Sequence, residues 1–122
     1  MPFDEPYPSS NHKMNNEDEL KGILEKTNNP IIVLQGHYHC TKVKQNDNII
    51  YITSPSLVTF PNAFRVININ SNKKRTLVDV FLKETNLKDV QTRSKLRLLG
   101  VESLYGSESD RNYTYEIKKV KK

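Results

Sequence analysis

The sequence predicts an α+β fold, mostly antiparallel strands and hairpins with two flanking helices, and three observations predict it. Two pairs of runs rich in β-branched and apolar residues are each joined by a short polar turn: 41–44 to 49–52 across Gln45-Asn46-Asp47-Asn48, and 65–70 to 77–82 across Ser71-Asn72-Lys73-Lys74. Leu20, Ile23 and Leu24 fall at helical spacing. Between helix and hairpin, the apolar run 31–34 shows no alternation and is bounded by Pro30 and Gly36, as in a strand covered on both faces.

In chain order, residues 1–15 carry Pro2, Pro6, Pro8 and the polar Ser9-Ser10-Asn11, which predict an extended loop. Asn16 then reads as an N-cap with Glu19 at N3, opening a helix that runs to about Lys26 and is stopped by Asn28-Asn29-Pro30. Residues 31–34 are expected to form a central strand. After the first hairpin, Arg65-Val66-Ile67-Asn68-Ile69-Asn70 alternates apolar and polar, so the second hairpin should have one wet face. Apolar residues at 87, 90, 96, 98 and 99 with Lys and Arg between them predict a helix, and residues 113–117 predict a final strand.

Length and composition bound the rest. A chain of 122 residues fits one domain, whose core would bury around two-thirds of the unfolded surface. Only 35% of residues are hydrophobic and there is no Trp, so the strands must supply nearly all the burial. A single cysteine, Cys40, excludes an internal disulfide and suits a reducing cytoplasm. The longest apolar runs are about five residues, against the ~20 that a membrane helix needs, so no membrane association is expected. The net charge of +5 is concentrated in Lys73-Lys74-Arg75 and Lys118-Lys119-Val120-Lys121-Lys122. A turn and a terminal cluster of this kind read as solvated surface rather than as a nucleic-acid interface.

The candidate site is Gly36-His37-Tyr38-His39, which places two imidazoles at the exit of the 31–34 strand. In an extended segment residues i and i+2 face the same way, so His37 and His39 can reach one metal site, with Gly36 letting the backbone turn beneath it. Two ligands are half a site, because catalytic zinc takes at least three protein ligands and structural zinc four. His12 sits in the proline-rich loop and is expected at the surface. By alternation Tyr38 and Cys40 point away from the histidines, Tyr38 to pack and Cys40 to act as a small core residue. Ser54-Pro55-Ser56 offers hydroxyls, but no base or acid is at hand to activate a serine nucleophile, so it reads as a structural turn. Arg65 has the fork that binds phosphate, yet its place in an alternating strand favours a surface ion pair or an edge-blunting charge.

Gly36-His37-Tyr38-His39, then a hairpin, then Thr53-Ser54-Pro55-Ser56, then Phe64-Arg65-Val66-Ile67, follow one another in an order and spacing that resemble the C-terminal part of a calcineurin-like metallophosphoesterase. The subgroup most similar by these words is the one like class III cyclic-nucleotide phosphodiesterases. The likeness covers about residues 1–70, with 16–70 carrying the motifs and 71–122 adding terminal strands and a helix. Met1-Pro2-Phe3-Asp4 resembles the tail of the family's His-x-Pro-Pro segment, so the chain is expected to be a single partial domain that begins within the family fold, the C-terminal half of its β-sandwich.

The resemblance implies a metal-dependent phosphoesterase, a hydrolase acting on a phosphoester or cyclic-nucleotide phosphodiester substrate. His37 would ligate one metal and His39 the other in a centre of iron, manganese or zinc, the metals about 3.5–4 Å apart. The family's Asp-x-His, Gly-Asp and Gly-Asn-His-Asp/Glu elements do not occur in this sequence, so the centre is incomplete, no catalytic residue is assigned, and the chain is expected to be inactive alone. An incomplete sandwich would expose a sheet edge and favour self-association. The rival reading is a non-catalytic basic module or remnant that binds phosphate-containing or nucleic-acid partners.

Overall fold

The computed structural model describes residues 14–97 and 102–119. The proline-rich loop and its His12 lie outside these residues, as do residues 98–101 at the end of the predicted second helix. The elements run α1 (Glu17–Leu24), β1 (Ile31–Gln35), β2 (Lys42–Asn46), β3 (Ile49–Thr53), β4 (Ala63–Ser71), β5 (Arg75–Glu84), α2 (Lys88–Arg97), α3 (Glu102–Tyr105), α4 (Glu108–Arg111) and β6 (Asn112–Lys118). The fold is α+β, with two three-stranded sheets.

The first sheet has the order β1-β3-β2, with β1 parallel and β2 antiparallel to β3. The second is antiparallel throughout, in the order β4-β5-β6. Both predicted hairpins form. In the second, Arg65 pairs with Leu82 and Asn70 with Leu77, so the alternating residues of β4 divide between an inner and an outer face. The two sheets share one core: Ile50 and Ile52 of β3 cluster with Val78 and Val80 of β5 and Ile117 of β6, and Ile32, Val43, Ile67 and Tyr115 pack around them.

The central strand of the first sheet is β3 and not the predicted 31–34 run. All five residues of β3 are buried, whereas β1 lies at the edge with Leu34 66% exposed. Both runs are uninterruptedly apolar, so composition cannot rank them. The hairpin decides, because β2 takes one edge of β3 and leaves the other for β1. On the face of β3 opposite Ile50 and Ile52, Tyr51 is also buried, and burial raises its phenol pKa above the ordinary value.

Helix α1 begins where predicted, but the Asn16 side chain makes no capping hydrogen bond. Its start is supported instead by Glu17, Asp18 and Glu19 in the first turn, where carboxylates meet the positive end of the helix dipole, and by a 2.8 Å ion pair between Glu17 and Lys21. The helix ends at Leu24. Beyond it Asn48 ties the helix-to-strand loop to the β2–β3 turn, its Nδ2 donating to the carbonyls of Thr27 (2.7 Å) and Asn29 (2.6 Å).

Arg65 corrects a second expectation. It faces inward and riveted, not outward and paired: Nε donates to Thr53 O at 2.9 Å, Nη1 to Asp110 O at 2.7 Å and Nη2 to Lys42 O at 3.4 Å. One guanidinium thereby joins the end of β3, the start of β2 and α4. Burial pulls its pKa below the ordinary guanidinium value, opposed by the nearby Asp110 carboxylate. Five donors on a planar fork are what this junction of carbonyls requires.

Candidate functional site

Strand β1 delivers the histidine loop. Its last residue, Gln35, is held to β3 twice at this point, by Ser54 N donating to Gln35 O at 2.9 Å and by Thr53 Oγ1 donating to Gln35 Oε1 at 3.3 Å. The chain then turns, with Tyr38 N donating to Gly36 O at 2.7 Å. Gly36 is not the residue that takes the unusual conformation. The left-handed positions are His37 (φ 65°) and His39 (φ 56°), and histidine is among the non-glycine residues found there more often than most.

This backbone sorts the side chains by burial. Tyr38 and Cys40 are 8% and 4% exposed and pack with Leu104 and Phe60, while His37 and His39 are exposed. The alternation anticipated for an extended segment is therefore present, produced by alternating left-handed residues and by two anchors pulling inward. Thr41 N donates to Leu104 O at 2.9 Å and fixes the far side of the loop. Burial pushes the Cys40 thiol up to about 11, so at neutral pH it packs as a neutral core group.

Nδ1 of His39 lies 3.3 Å from the hydroxyl of Thr59. A hydroxyl can accept from Nδ1 or donate to it; where Nδ1 donates, Nε2 carries the lone pair that a metal would take. Thr59 belongs to the turn after the Ser-Pro-Ser element. Ser56 is buried and its Oγ accepts from the amides of Val58 (3.1 Å) and Thr59 (3.3 Å), so this serine does structural work, as expected of it. Asn62, buried and left-handed (φ 55°), closes the turn by donating from Nδ2 to Leu57 O at 3.1 Å.

Thr59 also belongs to a cleft of about 420 Å³ that it lines with Val58, Val90, Arg93, Ser94 and Arg97. The last four lie on one face of α2, at i, i+3, i+4 and i+7. That face is held in place by Ser94 Oγ donating to Asn62 Oδ1 at 2.6 Å and by Gln91 Nε2 donating to Pro61 O at 3.1 Å. Among the described residues, neither Arg93 nor Arg97 is paired with a carboxylate. In the sequence both arginines read as spacers between the apolar positions of a helix. The spacing Val90-x-x-Arg93-Ser94-x-x-Arg97 was the signal available.

A second polar cluster lies behind. The Tyr105 hydroxyl donates to Glu84, which also accepts from Lys88 Nζ (3.3 Å) and Gln91 Nε2 (3.2 Å). The Tyr105 hydrogen bond is the main reason the Glu84 carboxyl sits below its ordinary pKa and the phenol above its own. This cluster ties β5, α2 and α3 together.

Among the described residues, no group of three His, Cys, Asp or Glu side chains is placed to share a metal ion, and no helix is long and apolar enough to cross a membrane. Compared with family models, with curated proteins and with solved structures, the chain matches none.

Proposed function

We propose that this chain carries the histidine-pair segment of a metal-dependent phosphoesterase, with His37 and His39 as metal ligands. The observation that supports the reading is the loop itself: buried Tyr38 and Cys40 anchor it at the end of β1 and leave both imidazoles at the surface, within the motif order that resembles the metallophosphoesterases. The donors fit a metal in kind. They fall short in number, since no third ligand joins them among the described residues. A divalent pair, when bound, supplies an activated water and positive charge for the displaced oxygen. The chain's own part is to hold the imidazoles, with His39 Nδ1 beside the Thr59 hydroxyl and Cys40 buried on the other side of the loop.

Two measurements test this. Calorimetric titration with Zn²⁺ should give weak binding, since the described ligands fall short of the three or four that zinc takes, and it should be lost in His37→Ala and in His39→Ala. Unchanged binding in both variants would remove the histidines from the role. The 122-residue chain should also hydrolyse bis(p-nitrophenyl) phosphate no faster than buffer with metal. Turnover that either substitution abolishes would mean that a complete centre exists, and the incomplete-site reading would be wrong.

A further inference from the structure

We infer that the cleft between the Val58-Thr59 turn and α2 is a binding site for a phosphate monoester carrying a small apolar group, with Arg93 and Arg97 as its anion receptors. Nothing in this inference requires a metal, so it stands apart from the histidine reading, although Thr59 borders both places.

The argument begins with charge. Arg93 and Arg97 stand four residues apart on the same face of α2, and like charges at that spacing repel. Three other basic residues on helices have carboxylates beside them: Lys21 with Glu17, Lys88 with Glu84, and Arg111 with Glu108. Asp89 stands four residues before Arg93 on α2 but forms no ion pair with it among the described residues, and Arg97 has no carboxylate at that spacing before it. Two guanidinium forks sharing one wall of a cleft are relieved by a dianion, and guanidinium matches phosphate oxygens in geometry as well as in charge.

Shape and polarity narrow the ligand. A cleft of about 420 Å³ falls in the range of small-molecule sites. Its other walls include Val58, 80% exposed, and Val90, also exposed, which inorganic phosphate alone would leave wet. The Ser94 hydroxyl is committed to Asn62, so it holds the wall in place, and the Thr59 hydroxyl, which also meets His39, is the neutral polar group left among the lining side chains. Two cations, one hydroxyl and two valines suit a ligand with a phosphate at one end and an apolar group at the other.

The test is titration of the ¹⁵N-labelled chain, in EDTA, with inorganic phosphate and with phenyl phosphate, followed by NMR. Phenyl phosphate should bind several-fold tighter than phosphate, shifting the amides of Val58, Thr59 and Val90 together with those of Arg93 and Arg97. Arg93→Gln and Arg97→Gln should each weaken it by about tenfold, while Lys73→Gln in the β4–β5 turn, a remote change of equal charge, should not. Equal weakening by Lys73→Gln, no effect of either arginine change in a variant with a native spectrum, or shifts centred elsewhere would each overturn the proposal. Because metal is chelated throughout, such a failure leaves the histidine pair untouched, and loss of zinc binding in the histidine variants leaves this cleft untouched.

Discussion

Asp110 does more for this fold than its place in a four-residue helix suggests. It is buried, and its carboxylate accepts from Val43 N and Ser107 N, both at 2.9 Å, from Ser107 Oγ at 2.6 Å and from Lys42 Nζ at 3.3 Å, while its carbonyl takes a bond from Arg65. Burial alone would raise its pKa, but these hydrogen bonds and the Lys42 charge outweigh it and hold the carboxyl below the ordinary value. A depressed folded pKa means stability that is complete above the unfolded value, about 3.9, and lost as pH falls through the folded one. Asp110→Asn should therefore cost about 2–3 kcal/mol at pH 7, with the gap to the parent chain narrowing as pH falls below the unfolded value and through the folded one. Urea unfolding of both proteins across that range checks it, and a gap independent of pH would show that the charge is not what matters. Beside it, Gly106 (φ 74°) admits no side chain, since a Cβ would lie 2.2 Å from Thr41 O.

At the scale of elements, the strands were legible and their ranking was not. Turn chemistry at Asp47-Asn48 and around Asn72-Lys73-Lys74 located both hairpins, because those residues leave the chain few alternatives. That 31–34 would be an edge and 49–53 the centre depends on which strand the hairpin leaves inside, a long-range outcome that local pattern does not encode. The difference has a measurable consequence. Ile52→Ala, in the shared core, should cost about 2–5 kcal/mol, whereas Leu34→Ala on β1 should change stability by no more than about 0.5 kcal/mol. Comparable losses in thermal or chemical unfolding would contradict the assignment of β3 as the buried strand. Arg65 was misread for a related reason: alternation told that it lies on one face of β4, but not that this face meets the carbonyls of Thr53, Lys42 and Asp110.

For the whole molecule, the sequence indicated an α+β fold of hairpins and helices, and the structure has that fold with two sheets closed on one core. The candidate site was legible as far as its residues: a strand exit, two exposed imidazoles, two buried neighbours. Its surroundings were not, because Thr59 meets His39 from 20 residues away in the chain, and Arg93 and Arg97 share a cleft with Thr59 only once the chain has folded. The central claim is that His37 and His39 are metal ligands. Its most direct test is the paramagnetic effect of Co²⁺ on the ¹⁵N spectrum at substoichiometric metal. Broadening centred on the amides from Gly36 to Cys40, absent in the His37→Ala/His39→Ala double variant, is the result expected. Broadening centred on any other segment, or the same pattern in the double variant, would contradict it.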